Sequence, residues 1–380
     1  MFPRYYNLQD DLITSVFLFG ARQTGKTTLL LQQFPHAEYI DLLDTITLAQ
    51  YSRRPALLYE KYKNYSSDSI IIIDEIQQVP MMLNEVHRLI AQNGIHFILC
   101  GSSARKLRRK GYNTLGGRAV PCLLYPLVSA EIPDFDIDKA LTNGMLPPYY
   151  VSQNAYLGLS AYIDVYLREE IKAEALVRNL DNFQRFLDAA ALTDGEIVNY
   201  NNIATDCWVS ANTVKEYFSI LEDTLIGYTI PAFTKKVKRR LTQSPKFYFF
   251  DIGVANYLLH RKELVRGTTE YGHAFEHFII QELVAYIGYT RNDNKLFYWR
   301  TKDGVEIDAV IGDAKVAIEI KSTEDIQSKH MKGIRSFAKD YPTARKLIVS
   351  LDRLSRTTDD NIEIVYVYDF LKALWQGLYF

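Results

Sequence analysis

The sequence predicts an α/β chain: a parallel sheet built around a phosphate loop, then a helix-turn-helix with a hairpin, then a second α/β sheet. Three observations carry this. Gly20-Ala21-Arg22-Gln23-Thr24-Gly25-Lys26-Thr27 fits G-x-x-x-x-G-K-[ST] without a mismatch. Ser69-Ile70-Ile71-Ile72-Ile73-Asp74-Glu75 reads as a buried parallel strand with two carboxylates at its C-terminal edge. Near the end, Val305–Val310 and Val316–Lys321 read as paired strands bearing Asp308, Glu319 and Lys321.

The first element is the apolar strand Val16-Phe17-Leu18-Phe19, and Thr28-Leu29-Leu30-Leu31 open a helix after the loop. Glycines let backbone N–H groups turn inward around an anion, and the helix N-terminus adds its positive dipole end. Gly20, Ala21, Arg22, Gln23, Thr24, Gly25, Lys26, Thr27 and Thr28 are therefore the expected contacts of a nucleoside triphosphate. Lys26 would reach the β- and γ-phosphates, and the Thr27 hydroxyl would ligate Mg²⁺.

Tyr39–Leu42 reads as the second strand. On the acidic strand, Asp74 is expected to support the Mg²⁺ and Glu75 to polarise the attacking water, because ligands bind at the carboxyl edge of such sheets. The strand His96–Cys100 ends in Gly101-Ser102-Ser103 and is expected between the two motif strands, with Ser102 or Ser103 sensing the γ-phosphate. A basic run, Arg105 to Lys110, precedes Gly116-Gly117-Arg118. Arg118, or less readily Arg105, is placed to stabilise charge on a transferring phosphoryl group. Ala119–Leu124 gives a fifth strand, and Pro126, Pro133 and the acids to Asp138 mark the way out.

These motifs, with Asp74-Glu75-Ile76-Gln77-Gln78-Val79-Pro80, Gly101–Leu107 and Tyr125-Pro126-Leu127, resemble one bacterial and archaeal family: AAA-type ATP-binding proteins with a C-terminal domain of unknown function. The resemblance continues through Tyr166–Ile171, Leu221–Leu225 and Phe249–Val254 and ends at Ala317–Lys321. It implies an AAA-type P-loop NTPase domain that hydrolyses ATP with Mg²⁺, has ATP and ADP as its nucleotide partners, and belongs to a group in which ring-shaped homo-oligomers are common.

From Tyr156 to Leu192 apolar residues recur at helical spacing. Asn201–Ala204 then opens a short helix, Trp208-Val209-Ser210 makes a turn, and Ser210 caps a longer helix from Ala211 to Glu222. Strand-like Leu225–Phe233 and Lys246–Phe250 bracket Lys235-Lys236-Val237-Lys238-Arg239-Arg240, so the order is that of a winged helix. Two readings stay open for it: its cations neutralise phosphates of double-stranded DNA, or it is a contact module with a solvated basic loop.

In the last part, side chains two apart share a strand face, so Glu319 and Lys321 point together. With a hairpin turn at Asp313-Ala314, Asp308 lies across from Glu319. Both carboxylates could then hold one Mg²⁺ while Lys321 orients or deprotonates a water. The trio is similar to the D-…-E-x-K core of PD-(D/E)xK nucleases, a restriction-endonuclease-like α/β fold, although the proline before the first Asp is absent. That resemblance implies that Glu276, on the preceding helix, is the upstream acid of the metal site. A catalytically silent version of the same fold remains open, and with it a nucleotide-gated scaffold or an ATP-responsive transcription factor.

At 380 residues, two or three domains are expected. The motifs divide the chain into 1–140 (ATPase), 141–192 (helical linker), 193–260 (winged helix) and 261–380 (nuclease-like). Hydrophobic content of 48% with 23% charged residues is that of an ordinary globular chain, and the net charge of −1 confines any nucleic-acid surface to a local patch. Cys100, Cys122 and Cys207 have neither pairing nor metal spacing, which points to a reducing compartment. No apolar run approaches bilayer length, so the expectation is a cytoplasmic protein without a membrane partner.

Overall fold

The computed structural model describes residues 2–102, 115–167, 180–234 and 243–380. Ser103, Arg105 and the rest of its basic run, Arg168–Ile171 and the cationic segment 235–240 lie outside these residues. By its contacts the chain divides into two units, Met1–Pro126 with Asp223–Ile226 and Leu127–Glu222 with Gly227–Phe380.

In the first unit, β1 (Ser15–Phe19), β2 (Glu38–Asp41), β3 (Ile70–Asp74), β4 (His96–Gly101) and β5 (Ala119–Leu123) form one sheet in the order β2-β3-β4-β1-β5. All its pairings are parallel, with Val16 opposite Ile98 and Ile70 opposite His96. Parallel strands need both faces covered, and the unbroken apolar runs of β1, β3 and β4 are suited to that. Phe17, Phe19, Ile71, Ile73, Phe97 and Leu99 lie on one face, spaced by two along their strands, in the same core as Leu58, Tyr62, Val86 and Leu89. The last four come from the helices Leu57–Tyr62 and Met82–Asn93. Pro121, which has no N–H to give a ladder, stands on the edge strand β5. α1 (Lys26–Gln33) follows β1 directly after the glycine loop.

The second unit begins with short helices, among them Ile137–Asn143 and Ala155–Ala161. After Leu180–Leu192 come Tyr200–Cys207 and Ala211–Asp223, followed by the antiparallel pair β6 (Gly227–Ile230) and β7 (Lys246–Phe249). Ser210 Oγ accepts the Thr213 N–H at 3.1 Å, as a capping serine should. Residues 194 and 197 bridge to Phe247 and Lys246, which lays the turn between them against β7.

A six-stranded mixed sheet completes this unit, in the order β12 (Arg356–Thr357), β13 (Ile362–Tyr366), β11 (Arg345–Ser350), β10 (Val316–Lys321), β9 (Glu306–Ile311), β8 (Leu296–Arg300). The helix Thr269–Thr290 packs on β10, and Lys332–Asp340 packs on β9 and β10.

Asp251 ties two parts of this unit together. Its carboxylate caps the helix Ile252–Leu258 through Gly253 N and Val254 N, and takes Met145 N at 2.7 Å. The side chain is fully buried, so each orphaned N–H would lack water as a replacement. Asp251→Ala is expected to destabilise the second unit by ~3 kcal/mol, read as a lower denaturant midpoint with an unchanged slope.

Candidate functional site

The phosphate loop runs from the end of β1 into α1. Gly25 (φ 93°) and Gln23 (φ 64°) are in the left-handed region, a conformation glycine adopts without cost and glutamine does not. Lys26 is buried, and its Nζ donates to Gly20 O at 2.7 Å and Ala21 O at 3.1 Å, while Thr24 Oγ1 donates to Ala21 O. Burial lowers the Lys26 pKa, opposed by the nearby carboxylates of Glu75 and Asp74. The ammonium is thus short of counter-charge, a deficit that an incoming triphosphate would make good.

At the tip of β3, Asp74 Oδ2 accepts a hydrogen bond from Thr27 Oγ1 at 3.2 Å and another from Tyr39 Oη. Its Oδ1 accepts the Glu75 N–H. Thr27 and Asp74 fit the holding of Mg²⁺ on a bound nucleotide, the hydroxyl facing the ion and the carboxylate behind it. Glu75 sits at φ 55°, ψ 42°, a non-glycine residue in the left-handed region at the place where catalytic groups tend to store strain. Gln77 Nε2 donates to Glu75 Oε2 and lies 3.4 Å from Ser102 Oγ, so one amide links the tip of β3 to the tip of β4. A Cβ on Gly101 would come within 2.4 Å of Gln77 Oε1, so glycine there leaves room for the amide where it stands.

The second unit holds a cavity of about 600 Å³ whose lining includes the acids Glu276, Glu306, Asp308 and Glu319 and the cations Lys246, Arg300 and Lys321. The β9–β10 ladder pairs Val316 with Ile311 and Ile318 with Ala309, and beyond its last pair the Ile320 N–H donates to Asp308 Oδ2 at 2.7 Å. Lys321 Nζ lies 2.7 Å from Glu319 Oε1, 3.0 Å from Ile320 O and 3.7 Å from Asp308 Oδ2. Three oxygens therefore surround one cation position. Glu319 Oε2 is buried and, among the described residues, has no hydrogen-bond partner. Burial raises the pKa of both Asp308 and Glu319, with Lys321 pulling the other way.

Glu276 departs from expectation. Its Oε1 takes Lys246 Nζ at 3.0 Å and Tyr248 Oη at 2.9 Å, and Lys246 also pairs with Glu306. Burial pushes the Glu276 pKa up, but Lys246, the Tyr248 hydroxyl and Lys321 together hold it below the ordinary glutamate range. Among the described residues no group of three or more His, Cys, Asp or Glu side chains is disposed to hold a metal ion. Asp308 and Glu319 with the Ile320 carbonyl suit a hard divalent cation, but the third carboxylate expected from Glu276 is committed to a lysine instead.

Comparison with known proteins bears on the first unit. Residues 14–132 match the model of a family described as "AAA domain". The chain carries an AAA domain. Residues 135–264 and 271–370 match two domains of unknown function, DUF8612 and DUF4143. An uncharacterized protein of Mycobacterium tuberculosis is 25% identical over 349 residues, covering 88% of this chain and 76% of its own. One from Haemophilus influenzae is 23% identical, covering 93% and 92%. Among solved structures, the Aeropyrum pernix ORC1 protein in complex with DNA aligns at 12% identity and a TM-score of 0.25, over 67% of this chain and 89% of that one. A signal transduction ATPase with numerous domains from Pyrococcus horikoshii aligns at 13% identity and a TM-score of 0.21, over 76% of this chain and 48% of its own. At such TM-scores neither structure bears on fold or function.

The AAA domain is a nucleotide-binding domain of ATPase type, and its loop, Asp74, Glu75 and Ser102 stand at the ends of neighbouring strands. Arg118, just before β5, is exposed, and its Nη1 lies 2.6 Å from Nε2 of His87 in the helix Met82–Asn93, a neighbour no sequence pattern announced. Sequence reasoning also passed over Tyr39 and, in the second unit, Lys246. No helix among the described residues is long and apolar enough to cross a membrane.

Proposed function

We propose that the protein hydrolyses ATP with Mg²⁺ in its AAA domain and that nucleotide state governs a winged helix and a nuclease-like domain acting on DNA. The observation that supports the first half most strongly is the pairing of Thr27 with Asp74 beside a buried, under-compensated Lys26. Water attacks the γ-phosphorus, its proton passes to Glu75, and the β–γ bridging bond breaks with its electron pair leaving on ADP. Gln77 holds Glu75 while Ser102 faces the same strand edge, and Lys26 offsets charge on the phosphates. Mg²⁺, when bound, supplies the remaining neutralisation of the phosphate oxygens.

DNA binding rests on the helix-turn-helix and hairpin order, with the basic segment 235–240 between the hairpin strands. In the cavity, Asp308, Glu319 and the Ile320 carbonyl would hold one Mg²⁺ and Lys321 would orient water. A second reading, a catalytically silent nuclease-like domain, is favoured by one feature: Lys246 and Lys321 already pair with the acids that a metal ion would need.

Phosphate release from ATP, with and without Mg²⁺, tests the first half, and no release in either condition would contradict it. Plasmid digestion separates the readings of the cavity. If it cuts, Mg²⁺-dependent nicking by the wild type should fall by at least about a hundredfold in Asp308→Asn, while ATP turnover stays as it was. Equal nicking by both proteins contradicts the nuclease assignment, and no nicking by either selects the silent reading.

A further inference from the structure

One residue outside every expected motif touches the phosphate loop. Arg4 Nη1 donates to the Thr24 carbonyl, while its Nη2 donates to Tyr125 O at 2.8 Å and Pro126 O at 3.3 Å. The segment carrying Arg4 is itself fastened to the end of α1. Gln33 Nε2 donates to Tyr6 O, and Gln33 Oε1 accepts the Leu8 N–H at 2.8 Å. The chain is therefore held two and four residues beyond Arg4 as well as at its guanidinium.

The geometry has a direct chemical consequence. In a planar trans peptide the carbonyl of one residue and the N–H of the next point in opposite directions. Pinning Thr24 O on Arg4 aims the Gly25 N–H the other way, and inward-turned N–H groups are what a phosphate loop requires. The guanidinium keeps its charge at any relevant pH and can serve two acceptors at once with its fixed fork, which an ammonium cannot do in the same way. Its other end grips the last two residues before the chain passes out of the first unit at Pro126.

We infer that Arg4 is a positioning residue of the phosphate loop and that it links nucleotide loading to the segment by which the chain leaves the AAA domain. The inference rests on the nucleotide-binding reading of the loop and adds its coupling to Tyr125–Pro126. A triphosphate entering the loop draws on the Gly25 N–H, and through that peptide the Thr24 carbonyl, Arg4 and the two exit carbonyls adjust together.

The test is ATP titration and hydrogen–deuterium exchange on the full chain with Mg²⁺, comparing wild type, Arg4→Ala, Arg4→Lys and Lys26→Ala. In the wild type, ATP should slow exchange both in 20–27 and in 123–128. Arg4→Ala should bind ATP about tenfold more weakly. At saturating ATP it should still protect 20–27, yet exchange in 123–128 as the free protein does. Arg4→Lys should recover part of the affinity and none of the response at 123–128. A merely structural role predicts a uniform loss of protection in both Arg4 variants before any nucleotide is added, and that result overturns the inference. So does a wild-type affinity, or an intact ATP response at 123–128, in Arg4→Ala. If wild type and Lys26→Ala alike ignore ATP, the nucleotide reading itself fails and the Arg4 inference falls with it, an outcome distinct from the other two.

Discussion

Lys26→Ala should weaken ATP binding by about a thousandfold or more while leaving the fold intact. The lysine is the one buried cation of the loop, and each charge-assisted hydrogen bond it would transfer from Gly20 O and Ala21 O to phosphate oxygens is worth about 1.5–3 kcal/mol. The same site predicts a pH dependence. Because burial lowers the Lys26 pKa below its ordinary 10.5, the ammonium is lost earlier than usual as pH rises. Affinity for ATP should therefore fall on the alkaline side, and binding there should take up protons. Calorimetry in two buffers of different ionisation enthalpy measures the uptake, and Lys26→Ala should abolish it. A mutant that keeps wild-type affinity would remove Lys26 from the site.

Glu75→Gln should bind ATP and turn it over about a hundredfold to ten-thousandfold more slowly, which is the range for loss of a general base. The substitution keeps the shape of the side chain, and an amide can still meet Gln77, so the strained backbone at Glu75 has no reason to relax. Single-turnover assays with excess protein should show nucleotide retained as the triphosphate. Turnover at the wild-type rate would take Glu75 out of the mechanism and leave the water to some other group.

The parts of the AAA domain that could be read from the sequence are those set by local chemistry. A glycine-rich turn between an apolar strand and a helix has few other uses, and four consecutive isoleucines ending in Asp74 leave little choice but a buried parallel strand. The hairpin β9–β10 was legible for a related reason, since the alternation of strand faces and the turn around Ala314 (φ 58°) together fix the register that pairs Ile311 with Val316 and Ala309 with Ile318. What stayed hidden depends on tertiary neighbours. Gln77 meets Ser102 because β3 and β4 run side by side, and Lys246 meets Glu276 because a hairpin strand lies against a helix 30 residues later. Arg4 is one cation among many in the sequence, and only the placement of its segment at the end of α1 brings it to Thr24. Arg118 shows the converse: the sequence marks the residue, and the fold gives it His87.

The claim that supports all the others is that a nucleoside triphosphate seats in the loop between β1 and α1. Isothermal titration calorimetry of the folded 380-residue chain with ATP, ADP and GTP in the presence of Mg²⁺ tests it most directly. The structure predicts one nucleotide bound per chain in the wild type and none in Lys26→Ala. A folded wild-type protein that gives no binding heat at any of several temperatures with adenine or guanine triphosphates would contradict it.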